Sequence, residues 1–203
     1  MRRRDMIGAG LSLGAVAVLP ARAQTSAGLV RIRMTTGKGA IVLDLDAGHA
    51  PLTVRNFLRY VDLKKLDNTV FYRAMPNGNG ADGNPRGLIQ GGDSRRALAP
   101  VAHEPTSQTG LSHTDGTISL VRGSQLPSGR GDFFICVGDM TFLDAGGGGT
   151  ADNLGFAAFG KVVEGMDVVR AIFTAPVSAT EGEGAMKGQM LSPRVSIVTT
   201  RRV

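Results

Sequence analysis

Few side chains in this sequence have both the type and the spacing to do chemistry. His49, His103 and His113 stand apart, with no HExxH pair and no second histidine at a ligand spacing. His103-Glu104 puts two polar groups side by side and reads as a hydrogen-bonded loop rather than a cation site. Asp44 and Asp46, at i and i+2, share one strand face and read as a solvated face rather than a catalytic carboxylate pair. Cys136 lies inside the apolar run Phe133-Phe134-Ile135-Cys136-Val137, the setting of a buried, inert thiol. No Gly-x-Ser-x-Gly elbow is present. The sequence therefore leads us to expect neither a metal nor a cofactor. What remains are single polar residues on apolar strands. Arg73 follows Phe71-Tyr72, and Gln90 precedes Gly91-Gly92-Asp93. Composition alone names no enzyme from these.

The elements that must position them are mostly short strands. Val30–Met34 alternates apolar and polar residues, Gly37-Lys38-Gly39 supplies a tight turn, and Ala40–Leu45 alternates again, which predicts a hairpin. Further strands are predicted at Val70–Ala74, Leu88–Gly91, Gly116–Val121, Phe133–Val137, Phe156–Val162 and Val195–Thr200. Two segments carry helical stripes. One begins near Pro51 and places Val54, Phe57, Leu58 and Val61 on one face; the other places Met166, Val169 and Phe173 together, beside Ile172, and stops at Pro176. Eight short strands suggest a closed barrel or a sandwich, with the two helices capping the ends. Pro76–Arg86, Arg95–Asp115 and Asp139–Leu154 read as long loops, with Gly146–Gly149 as a flexible tip.

The chain has 203 residues, 42% hydrophobic and 20% charged, with 29 glycines and a formal charge of +6. That composition excludes collagen-like, coiled-coil and low-complexity chains. Residues 1–23 read as an export signal: Arg2–Arg4, an apolar run of 13 residues from Ile7 to Leu19, then Ala21-Arg22-Ala23 with cleavage before Gln24. Thirteen helical residues rise about 20 Å, short of the ~30 Å hydrocarbon core, so stable membrane insertion is not expected. Of the 23 basic and 17 acidic residues, four and one lie in 1–23, which leaves 19 and 16 and a net of +3. Basic residues do not interleave with aromatics, so nucleic acid is not an expected partner. Residues 24–203 are expected to form one domain, and a monomer.

The ordered motifs of that domain resemble the cyclophilin-type peptidyl-prolyl cis-trans isomerases. The segments that carry the likeness are Ala50-Pro51-x-Thr53-Val54-x-Asn56-Phe57, Val70-Phe71-Tyr72-Arg73, Leu88-Ile89-Gln90-Gly91-Gly92-Asp93, Gly116–Leu120, Asp132-Phe133-Phe134-Ile135 and Phe159–Met166. The resemblance implies a mainly β fold, a closed eight-stranded antiparallel barrel capped by two α-helices. It implies an isomerase that rotates X–Pro bonds in proline-containing peptides and in unfolded or folding proteins, without metal or cofactor. Residue by residue, it implies that Arg73 is catalytic and that Gln90 binds the substrate backbone. Leu88, in place of the usual methionine, Phe134 and Leu143 would line the proline pocket.

The sequence also departs from the family pattern. Tyr72 replaces a histidine, and Gly87 replaces a pocket phenylalanine, a loss of bulk that leaves open a non-catalytic proline-peptide-binding module on the same barrel. Asp132 replaces a glutamine and is expected to orient Arg73 through an ion pair. Arg122 stands where an asparagine offers its backbone to the peptide, and Phe142 replaces a tryptophan that helps bind cyclosporin. Phe156 stands at the place of a pocket histidine, after the insertion Gly146–Leu154. A hollow lipocalin-type barrel is disfavoured, because the strands carry enough bulky aliphatics to fill a small barrel. The N-terminal Arg-Arg pair resembles a twin-arginine signal, with the general secretory route as alternative; either implies an exported, periplasmic protein.

Overall fold

The computed structural model describes residues 28–92 and 94–203. The expected signal segment and its cleavage point before Gln24 therefore lie outside the described residues, as does Asp93. Nine strands form one antiparallel sheet. They are β1 (Leu29–Thr36), β2 (Gly39–Asp46), β3 (Thr69–Asn79), β4 (Pro85–Gly92), β5 (Thr117–Leu120), β6 (Phe133–Val137), β7 (Ala157–Glu164), β8 (Val177–Ser178) and β9 (Met190–Arg202). Their order is β1-β2-β7-β5-β6-β4-β3-β9, and β9 pairs back onto β1. The sheet is thus an eight-stranded closed barrel, and the two-residue β8 hangs outside it on β9.

Alternation along each strand sorts the side chains into an inside and an outside. Ile32, Met34, Ile41, Leu43, Phe71 and Ile89 point inward and are fully buried. Helix α1 (Pro51–Asp62) drives Phe57 into the same core, with its ring 5.5 Å from Phe133 at 89° and 5.1 Å from Phe159. Edge-to-face contacts of this kind suit the aromatic quadrupole. One continuous cluster of buried apolar side chains occupies the interior, which argues against a hollow, lipocalin-type barrel. Helix α3 (Met166–Phe173) buries Val169 and Ile172 and packs on β2, β3, β4 and β6.

Three features differ from the sequence reading. A third helix, the single turn α2 (Thr106–Thr109), lies in the predicted loop Arg95–Asp115. The β3–β4 hairpin runs on to the pair Asn79–Pro85, so the predicted loop Pro76–Arg86 shrinks to 80–84. Proline lacks an N–H for the ladder, and a register shift between Pro76 and Asn79 accommodates it. Gly146–Gly149 is an exposed turn tied by backbone hydrogen bonds, the Gly147 N–H donating to the Asp144 carbonyl at 2.9 Å and the Gly149 N–H to the Phe142 carbonyl at 2.8 Å. Gly146 and Gly148 take φ of +85° and +82°, and a Cβ on Gly147 or Gly149 would lie within 2.6 Å of the Thr141 or Phe142 carbonyl oxygens.

One long-range contact anchors α1. Ala50 and Pro51 provide no side-chain cap, and the first turn holds no acid. Glu104, 2% exposed, supplies what is missing from another part of the chain. The Leu52 N–H donates to its Oε1 at 3.1 Å, and the Thr53 N–H and Oγ1 both donate to Oε2 at 2.7 Å. A carboxylate at a helix N-terminus satisfies orphan donors and suits the dipole. Glu104→Ala leaves these donors without their acceptor and is expected to cost about 2–3 kcal/mol. At ~2–4 °C per kcal/mol for a domain of this size, thermal unfolding should fall by roughly 5–10 °C. Glu104→Gln should recover part of that loss.

Candidate active site

The site stands on the outer face of four neighbouring strands. Cross-strand pairing sets Arg73 (β3) opposite Gln90 (β4), Gln90 opposite Phe134 (β6), and Phe134 opposite Ser119 (β5). A second row sets Met75 opposite Leu88, and Leu88 opposite Cys136. Directly opposed side chains stand ~4.5–5.5 Å apart at Cβ, so each row is a line of contacts.

Arg73 reaches this face because β3 carries a bulge. Against β4 its register shifts between Phe71 and Arg73, leaving Tyr72 as the extra residue; against β9 the pairing jumps there from Val195 to Met190. Phe71 and Ala74 therefore both enter the barrel core, while Tyr72 and Arg73 both stay outside. Arg73 Nη1 donates to Gln90 Oε1 at 3.0 Å, and Nε donates to Gln189 Oε1 at 2.8 Å. Gln90 Nε2 donates in turn to the Tyr72 hydroxyl at 2.6 Å. The backbone holds Gln189 in place, since the Ala74 N–H donates to its carbonyl at 2.9 Å. Among the described residues Nη2 has no hydrogen-bond partner, so the guanidinium is held at Nε and at Nη1 and keeps donors to spare. Burial pulls the Arg73 pKa down, and an arginine so lowered is still a cation at neutral pH. Burial and the field of Asp132 push the Tyr72 phenol up, so it stays neutral.

Beside this cation lies an apolar patch separate from the barrel core. Leu88, Phe134, Cys136, Met140 and Leu143 form its buried floor, with Met75, Val121, Phe142 and Phe156 packed around it. A 3-10 turn, Thr141–Leu143, delivers Phe142 and Leu143. Phe134 is held from two sides. The Phe156 ring meets it at 5.4 Å and 90°, and the buried His113 ring stacks on it at 5.7 Å and 19°. Asp144 Oδ1 accepts from the His113 backbone N–H at 3.0 Å and bonds the ring at Nδ1; His113 Nε2 bonds Ser119 Oγ at 2.9 Å. A carboxylate on Nδ1 fixes the tautomer with the proton there, so Nε2 accepts from the serine. Burial holds the His113 pKa below its ordinary value, against the pull of Asp144.

The family model "Cyclophilin type peptidyl-prolyl cis-trans isomerase/CLD" matches residues 31–201. The chain belongs to the cyclophilin-type peptidyl-prolyl cis-trans isomerases. A peptidyl-prolyl cis-trans isomerase of Acinetobacter baylyi is 35% identical over 153 residues, covering 72% of this chain and 73% of that protein. Peptidyl-prolyl cis-trans isomerase A of Dickeya dadantii is 34% identical over 176 residues, 85% of each chain. A crystal structure of a Cryptosporidium parvum cyclophilin, obtained in the presence of the dipeptide Ala-Pro, aligns with a TM-score of 0.64 at 18% identity, over 85% of this chain and 98% of that one.

Within the cyclophilin frame, most of the expected site residues come together: Arg73 with Gln90, and Leu88, Phe134 and Leu143 with Phe142 and Phe156. Two expectations change. Arg73 makes no ion pair with Asp132 among the described residues; its acceptors are glutamines, and the charge of Asp132 falls on Tyr72 instead. Gly87 does not open the pocket. It shares the inward face of Ile89, and a Cβ there would sit 2.1 Å from the Met75 carbonyl oxygen and 2.6 Å from the Phe173 ring. The Arg122 side chain bonds Asp152, and its backbone, the part expected to meet the peptide, makes no hydrogen bond among the described residues. Sequence reasoning missed Gln189, Met75, Met140 and the His113 support. Only Met75 carried a signal, as the residue two after Arg73 on the same strand.

The lowered pKa values of His113 and His103 have a consequence for stability. Both rings resist protonation in the fold, and the unfolded chain takes up protons below about pH 6.5. Their stabilisation is complete above that pH and is lost as the pH falls toward the lowered folded values. Urea midpoints should therefore drop between pH 7.5 and 5.5, and His113→Asn should flatten that slope.

Proposed function

We propose that Arg73 is the catalytic group of this isomerase and that the Leu88–Phe134–Leu143 patch seats the substrate proline. The observation that carries this reading is a cation held at Nη1 by Gln90 and at Nε by Gln189, with spare donors, beside an apolar floor. An X–Pro amide resists rotation because resonance gives its C–N bond partial double-bond character, with a barrier of about 18–20 kcal/mol. In the twisted state the nitrogen becomes pyramidal and gains a lone pair. A guanidinium N–H that donates to it makes a bond absent from the planar ground state, which lowers the barrier rather than merely tightening binding. A charge-assisted bond of ~3 kcal/mol supplies about a hundredfold. Fixed acceptors reduce the reorganisation needed at that moment. Phe134, Leu88 and Leu143 hold the ring while the preceding carbonyl swings, with Phe142 and Phe156 at the edge of the patch. Gln90 and the free backbone of Arg122 are placed to bond the peptide, and Asp132 tunes Tyr72 from the far side. No covalent intermediate, metal or cofactor enters this scheme.

The binding-module alternative rested on lost bulk at Gly87. The Phe173 ring fills that space, so no observation now favours it. In a protease-coupled assay on an Ala-x-Pro-Phe peptide, Arg73→Ala should lower kcat/KM about a hundredfold with thermal unfolding unchanged. An inactive wild type, or an Arg73→Ala variant as active as wild type, would overturn the assignment.

We further propose that the protein is exported and acts as a monomer on proline-containing segments of folding proteins in the periplasm. The pattern of residues 1–23 supports this, with its basic start, apolar run and Ala-x-Ala ending. Sequencing of the N-terminus from cell-envelope fractions should find Gln24; an intact Met1 in the cytosol alone would sink the proposal.

A further inference from the structure

Arg122 is a charged side chain only 4% exposed, and every part of its head is engaged. Nε donates to the Gly155 carbonyl at 2.7 Å, Nη1 to the Gly123 carbonyl at 3.0 Å, and Nη2 to Asp152 Oδ1 at 2.6 Å. Its guanidinium carbon lies 5.7 Å from the centroid of the Phe156 ring, within cation–π range. Phe156 is the ring that meets Phe134 edge-on at 5.4 Å. The loop that delivers it is tied at both ends. The Phe156 N–H donates to the Leu143 carbonyl at 3.0 Å, and the Gly149 N–H to the Phe142 carbonyl at 2.8 Å. Asp152 also accepts from the Leu154 N–H at 3.1 Å, and Arg122 holds the Asp152 carboxyl well below the usual carboxylate range.

Beside Phe156 opens a groove of about 500 Å³, bordered by Gly123, Ser124, Thr150 and Ala151 together with the ion pair. Its walls are small and uncharged apart from Arg122 and Asp152, which cancel each other.

We propose that Arg122 and Asp152 are positioning residues. They clamp Phe156 as a wall of the proline pocket and keep the adjoining groove electrically neutral, so that it favours an uncharged residue next to the proline. This rests on the pocket reading above, and the clamp has a readout of its own. Asp152 sits on an exposed loop, so Asp152→Asn should fold. Losing the anion weakens the tie between Arg122 and the loop and leaves the Arg122 charge uncancelled beside the groove.

The experiment compares wild type, Asp152→Asn and Asp152→Glu on Ala-Ala-Pro-Phe and Ala-Glu-Pro-Phe peptides, together with amide hydrogen exchange at Phe156. For the neutral peptide, Asp152→Asn should raise KM roughly fivefold with kcat within about twofold, the pattern of lost binding rather than lost transition-state contact. The acidic peptide should lose less or gain, and Asp152→Glu should restore the wild-type preference. Exchange at the Phe156 amide should accelerate in Asp152→Asn. Equal effects on both peptides, or a fall in kcat at constant KM, would overturn the specificity role. An unchanged Phe156 exchange rate would overturn the clamp. If wild type itself shows no turnover, the pocket reading fails, and exchange at Phe156 still decides whether the clamp exists.

Discussion

Side chains on a β-strand alternate with a period of two, so Phe71, Arg73 and Met75 would share one face of β3 if its pairing were regular. Phe71 is in the barrel core, and regular pairing would have carried the guanidinium in beside it. Burying a cation there without partners costs far more than a domain of this size can sustain. The extra residue at Tyr72 reverses the alternation after Phe71. It sends Arg73 to the outer face, keeps Ala74 inside, and brings the Tyr72 hydroxyl onto Gln90. The glutamine is then bonded at both ends, by Arg73 on its oxygen and by Tyr72 through its nitrogen. A half-buried guanidinium needs fixed acceptors, and the bulge is what lets Gln90 of β4 and Gln189, just before β9, provide them.

The barrel itself was legible from local pattern. All eight barrel strands overlap the segments that alternation and short β-rich runs marked, and α1 buries the Val54, Phe57, Leu58 and Val61 stripe. Of the site, legibility stopped where a contact depended on topology. Gln189 lies 116 residues from Arg73, and Glu104 lies 51 from Thr53. Neither has a local signature, because a glutamine or glutamate in a loop is the commonest kind of solvated residue. Gly87 shows a related failure. Its type suggested a vacancy in the pocket, but its strand parity faces it inward, toward Phe173. Asp132 was misjudged for the same reason: nearness along aligned motifs does not say which of two adjacent residues, Tyr72 or Arg73, a carboxylate will face.

Support for the apolar patch comes from polar groups beneath it. The buried His113 ring carries Phe134 on its face, and Asp144 and Ser119 hold that ring. A neutral histidine of fixed tautomer is a rigid platform, and both its nitrogens are satisfied, as buried polar groups require. The insertion after Asp144 adds Phe156 from the other side, so Phe134 stands between a wall fixed by hydrogen bonds and a wall fixed by an ion pair.

The lone thiol gains a use from its position. Cys136 belongs to the floor of the patch, packed with Leu88, Phe134, Met140 and Leu143, and burial raises its pKa far above the ordinary thiol range. The native arrangement therefore offers a reagent neither access nor thiolate. Only excursions that part Leu143 or Phe134 from their neighbours expose it, and the chain has no second cysteine and no tryptophan. The rate of covalent labelling becomes an intrinsic clock for the breathing of the pocket floor, read on a protein that needs no introduced thiol.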